Sequence, residues 1–96
     1  MRFEWDEDKN LVNSIKHGVC FEDACQIFDG FTLDRIDDRF DYGEIRVISI
    51  GSIEDIIILT VVHTNRDGAK RLISARLAKK REREAYAEAL HKAINS

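Results

Sequence analysis

The chain has 96 residues, of which 44% are apolar and 34% are charged, so residues 1–96 can form one small domain around a thin hydrophobic core. Its two cysteines, and an amino-terminal segment without an apolar leader, argue against a disulfide framework and an exported precursor; we expect a cytoplasmic protein with reduced thiols. The longest apolar run, residues 56–62, is far shorter than the roughly 20 residues of a membrane-spanning helix, which excludes such a span.

The beginning of the chain predicts a short strand followed by a helix. Residues 3–5 alternate in polarity, as an edge strand does. Asp6 is a typical N-cap for a helix over residues 7–17, and Gly18 is a typical C-cap. We expect the apolar stripe of this helix to face the core; it consists of Leu11 and Ile15, with Val12 beside them.

A second helix is predicted over residues 21–28, because apolar residues recur there at helical spacing. The expected buried positions are Phe21, Ala24, Cys25 and Phe28. Strands follow. Residues 32–37 are a weak candidate, since their alternation puts Leu33 and Arg35 on one face; residues 46–50 are a better one. The β-branched run over residues 56–64 predicts a central strand that is covered on both faces.

The carboxyl-terminal part predicts a hairpin and a last helix. Residues 65–68 (NRDG) are typical of a four-residue turn, and residues 69–76 are the returning strand. An amphipathic helix over residues 78–94 should lie on the sheet. Its apolar side consists of Ala78, Ala85, Ala89, Leu90, Ala93 and Ile94. The expected fold is α+β: two amino-terminal helices, a central antiparallel sheet of three to four strands, and a carboxyl-terminal helix.

The basic residues are concentrated in one segment. Residues 65–83 contain eight Lys and Arg against two acidic residues, whereas the rest of the chain is strongly acidic. Such a segment can attract a polyanion or an acidic partner, although a solvated helix face without a ligand has the same pattern. Because the predicted hairpin sets His63 opposite Lys70 and the last helix runs back along it, the cations should form an extended track. Tyr86 beside this track either stacks on a base or orients a phosphate, or it packs as a helix residue with its hydroxyl at the rim.

Metal binding is a poor explanation of the His and Cys residues. His17, Cys20 and Cys25 are close in sequence, but a structural zinc site needs four ligands and no second pair is present. Cys25 fits a small apolar residue in the second helix, and Cys20 a thiol at its entry. We therefore expect neither a metal site nor another cofactor.

Seven segments, in order and spacing, resemble the BrnT toxin family. They are residues 3–6 (FEWD), 16–19 (KHGV), 21–24 (FEDA), 43–46 (GEIR), 61–66 (VVHTNR), 71–76 (RLISAR) and 81–83 (RER), the last followed by Tyr86. The resemblance implies a RelE-like fold, bacterial origin and ribonuclease activity. It also implies a BrnA-like antitoxin whose other part is a ribbon-helix-helix DNA binder, with two toxin chains for each antitoxin dimer.

The motifs and the charge pattern together nominate site residues. The catalytic candidates are Arg66, Arg76, Arg81, Glu82 and Tyr86, and the RNA-binding candidates are Arg46, His63, Arg71, Lys79, Lys80 and Arg83. Two positions depart from the family pattern. Ser52 stands where arginine is frequent, and Lys79 stands where a capping Ser or Thr is usual.

These residues permit RNA cleavage without a metal ion. The 2′-hydroxyl can act as the nucleophile while arginines stabilise the charge that develops on the phosphate. His63, Glu82 and Tyr86 are the candidates for proton transfer. Glu82 also fits an ion-pair partner of the arginines, and His63 a polar residue at a strand end. The expected function is a metal-independent endoribonuclease toxin that inhibits translation; the alternative is a non-catalytic module that binds nucleic acid or an antitoxin.

Overall fold

The computed structural model describes all 96 residues, which form a five-stranded sheet with helices on both of its faces. The elements are β1 (Phe3–Glu4), α1 (Glu7–His17), α2 (Phe21–Ala24), which continues as a 3₁₀ turn (Cys25–Asp29), β2 (Thr32–Asp37), β3 (Arg46–Ile53), β4 (Ile57–Arg66), β5 (Ala69–Leu77) and α3 (Lys80–Ile94). The order of strands is β1-β5-β4-β3-β2, with β1 parallel to β5 and the other pairs antiparallel. No helix is long and apolar enough to cross a bilayer.

The α+β prediction is confirmed, but the sheet is larger than expected. It has five strands rather than three to four, and it is mixed rather than antiparallel, because the short β1 joins it in parallel with β5. The β-branched β4 is the central strand, as predicted. Its inward residues Leu59 and Val61 pack with Phe21, Ile27 and Leu72 in the main core.

Helix α1 has the predicted bounds, and both caps explain them. The Asp6 carboxylate accepts the backbone N–H groups of Asp8 and Lys9 at 2.9 and 3.2 Å. At the other end Gly18 takes a left-handed conformation with φ of 71°, and its N–H donates to the carbonyl of Ser14. The helix therefore begins and ends where local hydrogen bonds satisfy its free backbone groups.

The predicted buried stripe of α1 is wrong. Leu11, Val12 and Ile15 are 62%, 62% and 78% exposed, and the buried residues of the helix are Asn10 and Asn13. The helix lies beside the edge of β5 that β1 pairs only at Lys70 and Arg71. Open strand edges need hydrogen-bond partners, so amides rather than aliphatic side chains face inward.

Asn13 supplies those partners. Its side chain accepts the N–H of Ala75 at 3.1 Å and donates to the carbonyls of Ala75 and Val19 at 2.8 and 2.9 Å. Asn10 does a similar task for the next segment, since its side-chain oxygen accepts the N–H of Phe21 at 2.8 Å. Helix α1 is thus attached to the sheet largely by buried amide hydrogen bonds.

The segment after α1 is shorter as an α-helix than predicted. The α-helical part is a single turn, and the 3₁₀ turn that follows repeats every three residues. The buried positions therefore become Phe21, Ala24 and Ile27, whereas Cys25 and Phe28 are only partly buried.

The β4–β5 hairpin is tighter than predicted. Its turn consists of Asp67 and Gly68 alone, both with positive φ (52° and 80°), as a type I′ turn requires. Strand β4 continues two residues further than predicted, to Arg66, which pairs with Ala69. His63 therefore pairs with Leu72, and its predicted partner Lys70 pairs with Asn65. His63 lies on the core face of the sheet because it alternates in step with the buried Leu59 and Val61 of the same strand.

Helix α3 begins at Lys80 rather than at residue 78. Lys79 is the N-cap and has no acceptor in its side chain, but its N–H is accepted by the Glu82 carboxylate at 2.8 Å. The helix packs on β2 and β3. Only part of the predicted apolar side is covered: Ala78 is buried, Ala89 and Leu90 are partly buried, and Ala85, Ala93 and Ile94 are exposed.

His63 lies in the core as a neutral imidazole. The Ser49 hydroxyl donates to Asp34 at 2.6 Å, so the 2.7 Å contact between Ser49 and His63 Nε2 requires Nε2 to carry the proton. His63 Nδ1 is buried without a partner, and the ring meets Phe28 edge-on. Burial, with a smaller contribution from Lys70, lowers the pKa of His63 to about 4.

Mild acid is expected to destabilise the fold through His63. The unfolded chain binds this proton near pH 6.5 and the folded chain only near pH 4, so stability falls as the pH drops through that interval. The loss reaches about 2 kcal/mol at pH 5, or about 10 °C in thermal midpoint for a domain of this size. Thermal melts at pH 7 and pH 5 measure it. In His63→Gln the difference in thermal midpoint between pH 7 and pH 5 should be smaller. If that variant shows the same difference, other titrating groups cause it.

Candidate functional site

The face of the sheet opposite the main core is only partly covered. Neighbouring residues of a strand point to opposite faces, so the strand pairing defines its members. We call it the open face. It comprises Leu33 and Arg35 of β2, Arg46, Ile48 and Ile50 of β3, Thr60, Val62 and Thr64 of β4, and Arg71, Ser74 and Arg76 of β5. The first half of α3 lies over one end, and Tyr42, which precedes β3, packs on Arg46 near the other.

Arg76 and Glu82 form the centre of the α3 end. The two terminal nitrogens of the Arg76 guanidinium donate to the two carboxylate oxygens of Glu82 at 2.7 and 3.0 Å. Arg76 lowers the pKa of Glu82 to about 2, with burial opposing the effect and the Lys79 N–H adding to it. Glu82 is therefore ionised at neutral pH, and its carboxylate is a hydrogen-bond acceptor for Arg76 rather than an effective proton carrier.

A groove runs beside this pair, between α3 and strands β2 and β3. Its volume is about 340 Å³, and it is lined by Leu33, Arg35, Ile48, Ile50, Arg81, Glu82 and Ala85. Arg35 and Arg81 are exposed at its rim, and neither makes a hydrogen bond or an ion pair within the protein. Two guanidinium groups are thus free to bind an external anion at one place.

Arg35 was not among the residues that the sequence nominated. It lies outside the basic segment of residues 65–83 and matches no quoted motif. Its one signal was the alternation that put it on the same face as Leu33, which we read as a weakness of the predicted strand. In the folded sheet that alternation is what brings Arg35 to the groove.

Arg35, Arg76 and Arg81 form a first basic cluster at the α3 end of the open face, and a second basic cluster lies toward the opposite end. It surrounds a cavity of about 180 Å³, whose lining includes Lys9, Tyr42, Glu44, Arg46, Thr64, Arg66 and Arg71. Glu44 pairs with Arg46 at 3.1 Å and with Arg66 at 3.4 Å, so one carboxylate serves two guanidinium groups. Arg71 pairs with Glu4 of β1 at 2.8 Å. The cluster retains an excess of positive charge.

Tyr42 fixes the guanidinium of Arg46. Its ring lies 4.0 Å from the Arg46 guanidinium carbon, and its hydroxyl donates to the Asp37 carboxylate at 3.1 Å. Asp37 also accepts two hydrogen bonds from Arg39 at 2.8 and 2.9 Å, and this pair holds the pKa of Asp37 well below its usual range. The segment between β2 and β3 is thereby tied down where it supports the second cluster.

The two clusters form one elongated surface. Thr60 of β4 is level with Arg76, and Thr64 is level with Arg46 and Arg71. Four residues of strand separate these levels by about 13 Å. The predicted track along sheet and helix is found in part, because the cations line the sheet face and α3 contributes only Arg81.

Two nominated residues do not belong to this surface. His63 is buried on the opposite face, so the prediction that it lies beside the basic track is wrong. Tyr86 is buried under α3 against Ile50, and its hydroxyl donates to the carbonyl of Phe31 at 3.2 Å. Of the alternatives for Tyr86, packing as a helix residue is the arrangement found.

The remaining nominated cations lie at the start of α3. Lys79 and Lys80 are exposed and line neither cavity. Arg83 donates to the carbonyl of Ala78 at 2.8 Å, which ties it to the segment between β5 and α3. These three residues are peripheral to the two clusters.

The cysteines and potential metal ligands are dispersed. No group of three or more His, Cys, Asp or Glu side chains is arranged to hold a metal ion. Burial raises the pKa of the Cys25 thiol to about 11, so this thiol is protonated at neutral pH and unsuited to nucleophilic attack.

Comparison with known proteins identifies the family. The sequence-family model for the ribonuclease toxin BrnT of type II toxin–antitoxin systems matches residues 5–82. The crystal structure of the Brucella abortus ribonuclease toxin BrnT is similar with a TM-score of 0.62 and 26% sequence identity, over 83% of this chain and 99% of that one. No curated protein sequence matches the chain significantly. Because the family model spans most of the chain, the protein belongs to the BrnT ribonuclease toxins of type II toxin–antitoxin systems.

Proposed function

We propose that the open face binds single-stranded RNA and cleaves it as a metal-independent endoribonuclease, which inhibits translation in the bacterial cytoplasm. The observation that carries the proposal is the pair of arginine clusters about 13 Å apart on one sheet face. A small anion would need one such cluster. Two clusters in line suit successive phosphates of an extended polyanion.

In the proposed reaction the RNA supplies its own nucleophile. The 2′-hydroxyl releases its proton to solvent water as its oxygen attacks the adjacent phosphorus. The bond to the 5′-oxygen breaks and this oxygen takes a proton from water, leaving a 2′,3′-cyclic phosphate and a 5′-hydroxyl. Arg76 and Arg81 stabilise the negative charge that grows on the phosphate oxygens. Glu82 acts as a positioning residue, because it accepts two hydrogen bonds from Arg76 and so orients that guanidinium. Arg46, Arg66 and Arg71 hold the neighbouring backbone.

The absence of a metal requirement is supported by the state of the nearby carboxylates. Glu4, Glu44 and Glu82 each pair with one or two arginines of the open face. A divalent cation would have to compete with these guanidinium groups for its ligands.

The alternative function, a non-catalytic docking module, has one observation in its favour. The two terminal nitrogens of Arg76 already donate to Glu82, so this guanidinium must share its donors with any phosphate that binds. On that hypothesis the face would bind RNA or an acidic protein and cleave nothing.

Membership in a type II system implies an antitoxin partner. We further propose that this antitoxin is BrnA-like, with a ribbon-helix-helix DNA-binding part, and that two toxin chains flank one antitoxin dimer. An acidic segment of the antitoxin would cover the open face and compete with RNA. Mass measurement of the co-purified complex tests the stoichiometry, and a 1:1 heterodimer would contradict it.

Incubating the purified protein with total RNA, with and without a chelator, tests the proposed activity. We expect cleavage at the same rate in both, with cyclic phosphate ends. Loss of cleavage on chelation would remove the metal-independent mechanism. Tight binding without cleavage would favour the docking module. On an uncleavable oligonucleotide, the affinity should fall with salt by a log–log slope of about −0.7 for each phosphate contact.

A further inference from the structure

We propose that the groove between α3, β2 and β3 is a nucleotide subsite in which the base lies on an apolar floor and stacks against Arg35, while Arg81 holds its phosphate. The inference rests on the proposed RNA function and deepens it. It gives Arg35 a role as a base-contacting residue, and it makes a nucleoside phosphate of single-stranded RNA the occupant of the groove.

The floor of the groove suits a planar apolar group. Leu33, Ile48 and Ile50 form it, and the two isoleucines are only 5% and 6% exposed although they line an open groove. They therefore lie at the bottom, below the arginine side chains of the rim. A base that enters covers the apolar surface that remains exposed on this floor, and Leu33, Ile48 and Ile50 have no polar side-chain group that it would bury.

The rim distinguishes an RNA base from an aliphatic protein side chain. Five of the nine arginines of the chain pair with carboxylates, namely Arg39, Arg46, Arg66, Arg71 and Arg76. Arg35 and Arg81 have no internal partner, and both line this groove. An apolar side chain would leave both charges unused, whereas a nucleotide offers a π-face to one guanidinium and a phosphate to the other.

The position of each arginine assigns its partner. Arg35 rises from β2 directly opposite Ile48, so its guanidinium plane can lie along a base that rests on the floor. Arg81 lies in the first turn of α3, where the helix dipole also favours an anion. Glu82 lines the groove and holds Arg76, so the phosphate that Arg81 contacts is also within reach of Arg76, the other arginine proposed to stabilise the developing charge.

The test uses two uncleavable ten-nucleotide RNAs with 2′-O-methyl groups, one with all its bases and one abasic throughout. Fluorescence anisotropy gives their affinities for the wild type, for Arg35→Ala and for the control Lys92→Ala, which removes a positive charge from the exposed side of α3. We expect Arg35→Ala to lower the affinity for the base-containing RNA about tenfold and the affinity for the abasic RNA about twofold or less. Lys92→Ala should match the wild type on both, and all three proteins should share one thermal midpoint.

Each other outcome has a distinct meaning. If the wild type neither binds nor cleaves RNA, the proposed function fails. If it binds and cleaves RNA but Arg35→Ala equals Lys92→Ala on both probes, the subsite is wrong and the function stands. Equal weakening on both probes makes Arg35 a phosphate ligand and overturns the base contact. If Arg35→Ala loses binding to the antitoxin while its RNA affinity is unchanged, the groove binds a protein side chain and not a base.

Discussion

Arg81→Ala is expected to lower the rate of RNA cleavage by roughly 10²- to 10³-fold, the scale of losing one preorganised donor in a transition state. The thermal midpoint should stay within about 2 °C, because Arg81 is exposed and has no internal hydrogen bond or ion pair. Single-turnover cleavage and a melt on the same sample measure both quantities. Affinity for an uncleavable RNA should change much less than the rate, since the stabilised charge grows only during reaction.

Arg76→Lys is the companion variant, because it keeps the positive charge but removes the two parallel N–H donors of the guanidinium group. Lysine cannot make both hydrogen bonds to Glu82, so we expect a similar loss of rate and a small decrease in midpoint. Glu82→Gln retains an oxygen acceptor for Arg76, and a positioning role predicts partial activity with an unshifted pH profile. Full activity of Arg76→Lys at an unchanged midpoint would rule out its catalytic role. A large drop in midpoint, with activity lost only through unfolding, would make Arg76 structural.

Local signals predicted those features of the fold that depend on neighbouring residues. The caps Asp6 and Gly18 fixed the bounds of α1, since each satisfies backbone groups within the same turn. The β-branched run of β4 identified the central strand, because β-branched side chains favour an extended backbone. The prediction that β4 is covered on both faces holds less well, since Thr60, Val62 and Thr64 lie on the partly covered open face.

Features that depend on distant partners escaped the sequence analysis. The hydrophobic pattern of α1 points Leu11 and Ile15 inward, but the open edge of β5 demands amides, and that edge lies 62 residues away in sequence. The same holds for the last helix. Its apolar side continues to Ile94, but only its first half has a sheet beneath it.

The sequence predicts some of the cations of the candidate site but not which of them are paired within the protein. The basic segment of residues 65–83 supplies Arg66, Arg71, Arg76 and Arg81, whereas Lys9, Arg35 and Arg46 come from outside it. Which guanidinium groups remain free depends on carboxylates far along the chain, such as Glu4 for Arg71 and Glu44 for Arg66. Charge counts cannot show this neutralisation. They also cannot show that Arg35, from an unremarkable strand, is one of the two unpaired arginines at the groove.

Asn13→Ala is expected to be the most destabilising substitution on α1, costing about 3 kcal/mol or more. Three buried hydrogen bonds disappear, and the N–H of Ala75 and the carbonyls of Ala75 and Val19 lose their partners. Each buried backbone group left unpaired costs about 1–3 kcal/mol. For a domain of this size, the thermal midpoint should fall by about 15 °C.

Leu11→Ala is the matched control, and it gives the prediction its sharpness. In most helices truncating a leucine costs more than truncating an asparagine, but Leu11 is 62% exposed and Asn13 is 6% exposed. We expect Leu11→Ala to stay within about 0.5 kcal/mol of the wild type.

Asn13→Asp extends the test to the direction of the hydrogen bonds. The carboxylate can still accept the N–H of Ala75, but it cannot donate to the carbonyls of Ala75 and Val19, and it sets a buried negative charge against their oxygens. This variant should therefore be at least as unstable as Asn13→Ala at neutral pH, and it should recover partly in acid as the carboxyl group gains a proton. Denaturant melts at two pH values measure both effects. A Leu11→Ala protein less stable than Asn13→Ala would mean that α1 packs through its aliphatic stripe after all, with the amides turned to solvent.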